Sequence, residues 1–150
     1  MVYIVRLILW ALVVVVGSMV YLLPPSLDEA DLTPGEVVRQ WIQLYGQDTV
    51  RAAALTTEHF RKGEQPQEWA KRIQRELEAI DYQHLVGEIT QETLNGKLAT
   101  VTVHAGIVAI DGVSTQTEIY TLKRVHSRWL IDHLEVTDEI IPGGKNPHAF

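Results

Sequence analysis

A chain of 150 residues with a formal net charge of −6 and no cysteine has room for one ordinary domain and excludes several functions at once. An acidic surface repels phosphate backbones, and no Lys/Arg cluster longer than Lys71-Arg72 or Lys123-Arg124 offsets it, so nucleic-acid binding through a basic face is set aside. Without cysteine there is no disulfide framework, no thiolate metal site, no cysteine nucleophile and no lipid-modified N-terminal cysteine.

From Val2 to Leu23 the only charged side chain is Arg6, and a helix of ~22 residues at ~1.5 Å each spans ~33 Å, enough for the hydrocarbon core of a bilayer. Residues 1–23 are therefore expected to form a transmembrane signal anchor that ends at Pro24-Pro25, with Tyr3 and Tyr21 near its two interfaces. Arg6 and the terminal amine flank it on one side and Asp28, Glu29, Asp31 and Glu36 on the other. The positive-inside rule then puts the N-terminus in the cytoplasm and the C-terminal domain outside, as a single-pass protein of the cell membrane. Val16-Gly17-Ser18 offers small residues to a signal peptidase, but apolar residues resume from Met19 to Leu23, which favours an uncleaved anchor; either reading exports the domain.

Residues 24–32 (PPSLDEADL) are proline-led and acidic, the composition of an extended linker. Thr33-Pro34-Gly35-Glu36 is a capping box with proline at the first helical position, and Val37, Val38, Trp41, Ile42 and Tyr45 follow at helical spacing. The first helix should cover 34–45 and stop at Gly46. Asp48 caps a shorter second helix through Ala52-Ala53-Ala54-Leu55. Pro66 opens a third, in which Trp69, Ile73, Leu77 and Ile80 form one apolar stripe.

Beyond Tyr82 the period changes from 3.6 to 2, and Asn95-Gly96 and Asp111-Gly112 are two-residue hairpin signals, with His126-Ser127 a less favourable third. Four antiparallel strands are expected near 82–93, 97–110, 113–125 and 128–136, and residues 137–150 read as a flexible tail. Around Asp111-Gly112 the turn pairs Val103 with Tyr120 and Ala105 with Glu118; around His126-Ser127 it pairs Leu122 with Ile131 and Tyr120 with His133. One face thus collects an apolar core together with Glu118, His133, Glu135 and, across the first hairpin, Glu88. Buried carboxylates need partners or a pocket. The opposite face is rich in threonine (Thr100, Thr102, Thr115, Thr117, Thr121).

Thr33-Pro34-Gly35-Glu36-Val37-Val38, Gly46-Gln47-Asp48 before Ala52-Ala53-Ala54-Leu55, and Tyr120-x-Leu122-Lys123 followed by Arg128-Trp129-Leu130-Ile131-Asp132 resemble the small exported or membrane-anchored members of the nuclear-transport-factor-2-like (NTF2-like, cystatin-like) superfamily. The resemblance covers residues 33–136. It implies an α+β fold, about three helices packed on a curved four-stranded antiparallel sheet to form a cone, whose mouth can hold a small molecule and whose outer sheet face can pair with a second subunit. No catalytic constellation of the superfamily's enzymes matches here residue by residue, and fold alone does not carry function across.

The expected pocket lining is Tyr120, His133, Glu118, Glu135 and Trp41, with a histidine beside carboxylates as the only acid–base arrangement. Trp41, Trp69 and Trp129 fall at core-facing positions. The six histidines (59, 84, 104, 126, 133 and 148) include no i, i+4 pair and no HExxH, so neither a metal nor a cofactor is expected. The sequence therefore leads to a membrane-anchored, non-enzymatic accessory or assembly module. Its partners would be the membrane through residues 2–23, a second copy through the sheet face, and an envelope protein. A small-molecule-binding domain and an isomerase- or dehydratase-like enzyme are the alternatives.

Overall fold

The computed structural model describes residues 32–140. The expected anchor, most of the linker and residues 141–150 lie outside the described residues, among which no helix is long and apolar enough to cross a membrane.

The first helix, α1 (Pro34–Leu44), opens as its capping box dictates: Thr33 Oγ1 accepts from the Glu36 backbone N–H at 3.3 Å, and Glu36 Oε2 accepts from the Thr33 N–H at 2.7 Å. Its apolar face buries Val37, Val38 and Trp41. The chain then turns at Gly46, whose φ of 88° suits glycine. The short α2 (Thr49–Ala54) is capped by Asp48 and presents Ala52 and Ala53, both fully buried. After it, Arg61 donates to the carbonyls of Ala53, Thr56 and Glu64 and so holds the loop together. In α3 (Pro66–Ala79) Trp69, Ala70 and Leu77 are buried. Ile80, expected as a fourth member of the stripe, is instead the C-cap and stays 42 % exposed.

The strands β1 (Gln83–Asn95), β2 (Leu98–Ala109), β3 (Gly112–Val125) and β4 (Arg128–Ile140) form an antiparallel meander in sequence order. A fifth extended segment completes the sheet. Thr56 makes a parallel bridge to Ile131: Ile131 N–H donates to Leu55 O at 2.8 Å and Thr57 N–H to Ile131 O at 2.9 Å. The expectation of four strands is thus one short, because a single bridged residue carries no alternating period. The last strand also runs four residues beyond Val136, into what reads as tail.

Two turns slide by one residue, to Gly96-Lys97 and Ile110-Asp111, so that Asn95 pairs with Leu98 and Ala109 with Gly112. Tyr120 therefore faces Val101 rather than Val103, and Glu118 faces Val103 rather than Ala105. A slip of two along the partner strand preserves the face of every side chain. The core face survives accordingly: Val101, Val103, Tyr120, Leu122 and Ile131 are all fully buried beneath α1.

A bulge does change faces. Leu122 pairs with Ile131 as expected, but the next pair is Thr121 with His133, leaving Asp132 as the extra residue. From there on the alternation of β4 is inverted. His133 and Glu135 point to the outer face and are exposed, while Leu134 packs on the core. Glu88, expected inside, pairs with His104 on the outer face and is also exposed, bounded by irregularities at His84/Val86 and Ile89/Gln91. The threonines at 102, 115, 117 and 121 are half-buried on that outer surface.

Candidate functional site

The inner face of β3 carries Gln116, Glu118 and Tyr120 in succession, and β1 brings His84 opposite them. Glu118, only 2 % exposed, is the hub. Tyr120 donates its hydroxyl to Oε2 at 2.6 Å, Gln116 donates Nε2–H to Oε1 at 2.7 Å, and His84 Nε2 stands 3.4 Å from each carboxylate oxygen. Burial pushes the Glu118 carboxyl up, but the hydrogen bonds from His84, Tyr120 and Gln116 outweigh it and hold the group below its ordinary value. The carboxylate is therefore ionised at neutral pH and acts purely as an acceptor.

That charge sets the state of its neighbours. An acceptor carboxylate takes the Nε2–H of His84, which leaves Nδ1 as the second polar atom of the ring. Nδ1 is buried and has no hydrogen-bond partner. Burial, reinforced by the Glu118 charge, raises the Tyr120 and Tyr82 hydroxyls above their usual range, and burial with the nearby Glu76 charge brings Tyr45 up to about 12. All three remain neutral donors at physiological pH.

His84 lines a cleft of about 840 Å³ bounded by Ile42 and Tyr45 of α1, Leu77 of α3, and Tyr82 and Gly87 at the start of β1. A smaller groove of about 340 Å³ lies under the β2–β3 hairpin, walled by Tyr82, Ile107, Gln116 and the exposed Ile110 and Val113. The Glu118 cluster thus reaches one opening through His84 and the other through Gln116. Gly87 keeps this packing close, since a Cβ there would lie 2.9 Å from Ile42 Cδ1 and 3.3 Å from His84 Cε1.

Of the five residues expected to line a pocket, the fold brings Glu118, Tyr120 and Trp41 together and excludes His133 and Glu135, which the Asp132 bulge turns outward. Trp41 does not line the cleft. It is buried in the core, stacked on Tyr45 at 4.2 Å and edge-on to Tyr120 at 5.6 Å. The histidine that meets Glu118 is His84, which sequence reasoning missed, together with Gln116. Gln116 shares the parity of Glu118 and Tyr120 along one strand and was in principle readable; His84 lies beyond a bulge at Leu85, which resets parity.

A second buried carboxylate sits on the other side of the sheet. Asp132, 6 % exposed, accepts from Thr57 Oγ1 at 2.8 Å and lies 2.7 Å from Lys123 Nζ and 3.3 Å from His59 Nδ1. Burial raises its carboxyl, while Lys123, Thr57 and His59 bring it below its usual value. This group ties the loop after α2 to β4. Among the described residues no three His, Asp or Glu side chains converge as a metal site.

No known family model matches the sequence, and no curated protein matches it. Solved structures do match in shape. A SEC-C motif-containing protein from Rhodopseudomonas palustris superposes with a TM-score of 0.59 at 15% identity, over 73% of this chain and 81% of that one. A domain of unknown function with a cystatin-like fold from Nostoc punctiforme gives 0.53 at 19%, over 70% and 74%. An NTF2-like protein with a cystatin-like fold from Novosphingobium aromaticivorans gives 0.51 at 19%, over 67% and 76%. At such identities the likeness shows the fold alone.

Proposed function

We propose that this NTF2-like, cystatin-like cone is a membrane-tethered domain that binds a small molecule in the cleft between α1, α3 and β1. The observation that carries the reading is His84, a residue that lines the cavity: its imidazole is oriented by an ionised carboxylate, and its second nitrogen is buried and unpartnered. An unpaired buried polar atom costs about 1–3 kcal/mol, a cost that a ligand polar group reaching Nδ1 would remove. Glu118, Tyr120 and Gln116 serve as positioning residues that fix the tautomer and orientation of the ring. The apolar run from Val2 to Leu23 supports tethering to a cell membrane with the domain outside.

The test is native mass spectrometry of the full chain released from its own host's membranes. A reproducible non-protein adduct, lost in His84→Ala and kept in His133→Ala, is the expected result. An adduct indifferent to His84, or a chain that retains nothing and binds nothing from a host extract, would remove the cleft from consideration.

A second reading, a protein-interaction module for envelope assembly, draws support from Ile110 and Val113, exposed at 77 % and 51 % beside the cone mouth. It predicts an empty chain that self-associates or captures an envelope protein. Pairing of two copies through the threonine-bearing sheet face would belong to this second reading.

A further inference from the structure

The two ends of the cone carry opposite chemistry. At the mouth, Asp111 on the β2–β3 hairpin, Glu78 in the last turn of α3 and Asp81 just after it accompany the exposed Ile110 and Val113. At the other end lie the turns Gly96-Lys97 and His126-Ser127, which are neighbours: Leu98 pairs with Lys123, and the Arg124 N–H donates to Lys97 O at 2.8 Å. No acidic residue occurs in the sequence between Glu92 and Asp111 or between Glu118 and Asp132. In a chain of net charge −6, the two hairpin tips gather Lys97, Arg124, Arg128 and His126, while Glu36 and Glu92 stand beside the first turn of α1. The tips also expose Leu94, Leu98 and Val125 at 59 %, 47 % and 39 %. Lys123 is committed to Asp132, and Arg124 lies over the Trp129 ring at 5.8 Å without losing its charge.

This is also the end from which the chain leaves toward its apolar N-terminal segment. Gly35, in the first turn of α1, lies against Glu92 near the end of β1, whereas Tyr45 at the far end of α1 packs on Tyr82 at the mouth. The linker of residues 24–32 reaches ~30 Å when extended. It can therefore bring the basic end to a bilayer surface, while the length of β2 holds the mouth ~40 Å further out.

Resting on the membrane tether proposed above, we infer that the two hairpin tips form a seat for a bilayer surface containing anionic lipid. Lys97 and Arg124 meet the headgroups, and Leu94, Leu98 and Val125 enter the interfacial layer. Basic residues with interspersed aliphatic side chains are the chemistry by which peripheral surfaces bind such lipids. Seating this end orients the domain, so the cleft opens away from the membrane toward material in solution. Asp28, Glu29 and Asp31 of the linker compete for the same cations, and the experiment separates the two occupants.

Because the chain has no cysteine, Leu98→Cys gives a single labelling site at the seat and Val113→Cys one at the mouth. Each full-length variant is labelled with an environment-sensitive nitrobenzoxadiazole dye and reconstituted in nanodiscs of phosphatidylcholine, with or without phosphatidylglycerol. The expected result is a blue-shifted emission at position 98 that requires phosphatidylglycerol, is lost in the added Lys97→Glu/Arg124→Glu background, and is absent at position 113. A water-like emission at position 98 in both lipids, from protein that stays with the discs, overturns the seat and leaves the tether standing; it is also what pairing with the linker carboxylates predicts. A blue shift independent of phosphatidylglycerol, or one seen equally at position 113, overturns it as well. A chain that does not stay with the discs removes the tether and the seat together.

Discussion

Two buried carboxylates on neighbouring strands show how differently one chemical group can be used. Glu118 faces into the cone and is satisfied by the uncharged donors Tyr120 and Gln116 and by a histidine whose other nitrogen has no partner. Asp132 occupies a bulge facing outward and is satisfied by a lysine, a threonine hydroxyl and the exposed His59. Both are held below their ordinary carboxylate range. The partners of Asp132 reach water and lose little when it is removed, whereas of those of Glu118 Tyr120 is sealed in the core and His84 and Gln116 border the two openings. The first cluster is an arrangement for holding a charge in place beside a cavity, the second a fastening between the loop after α2 and β4.

The largest effect should follow from breaking the inner cluster. Glu118→Ala leaves the Tyr120 hydroxyl, which belongs to a fully buried residue, without an acceptor. Such a loss costs about 1–3 kcal/mol per orphaned group, and the vacated space adds to it. Urea unfolding of the full chain in detergent, followed by circular dichroism, should register about 3 kcal/mol or more, with His84-dependent adducts abolished. Asp132→Ala should cost less, about 1–2 kcal/mol, because Lys123 is half exposed and water replaces much of what it loses. An Asp132→Ala variant as unstable as Glu118→Ala would erase the distinction between the two sites.

pH sharpens the same comparison from both sides. Each carboxyl has a lowered pKa in the folded state, so its contribution to stability is complete above the unfolded values of ~4 and is lost as pH falls through the folded ones. Asp132→Asn should remove part of that acid sensitivity without altering the alkaline limb. The tyrosines beside Glu118 act in the opposite direction. Their pKa values are raised, so the stability they contribute is complete below the unfolded value of ~10 and declines as pH rises further; for Tyr45 the window extends to about 12. A stability profile that stays flat from pH 10 to 12 would show that the hydroxyls around Glu118 are not buried as described.

The contrast also explains what the sequence could and could not reveal. Helix caps such as Thr33 with Glu36 and glycine stops such as Gly46 are local, and so are apolar stripes such as Val37, Val38 and Trp41; all were legible. Glu118 and Tyr120 were placed inside correctly even though their cross-strand partners were two residues off, since a two-residue slip keeps parity. Parity fails at bulges. The extra residue at Asp132 turned His133 and Glu135 outward, and the one at Leu85 separated His84 from Glu88. Neither bulge has a local signature; the one at Asp132 is fixed by what its side chain meets across the fold, Lys123 and Thr57. The candidate site was therefore half visible: its carboxylate and tyrosine could be read, and its histidine was assigned to the wrong position.

The smallest expected effects test that reassignment most directly. Gly87→Ala adds a methyl 2.9 Å from Ile42 Cδ1 and 3.3 Å from His84 Cε1, and overpacking of this kind costs about 1–3 kcal/mol. The nearest atom is the far end of a flexible isoleucine, so the cost should fall at the low end of that range, while the crowded imidazole weakens ligand retention out of proportion to stability. His133→Ala removes an exposed side chain on the outer face and should lie within ~0.5 kcal/mol of the parent, with retention unchanged. The pair forms a control on parity. If His133→Ala rather than Gly87→Ala emptied the cleft, the bulge at Asp132 would have to be absent in solution, and the whole outer half of β4 would need to be turned back toward the core.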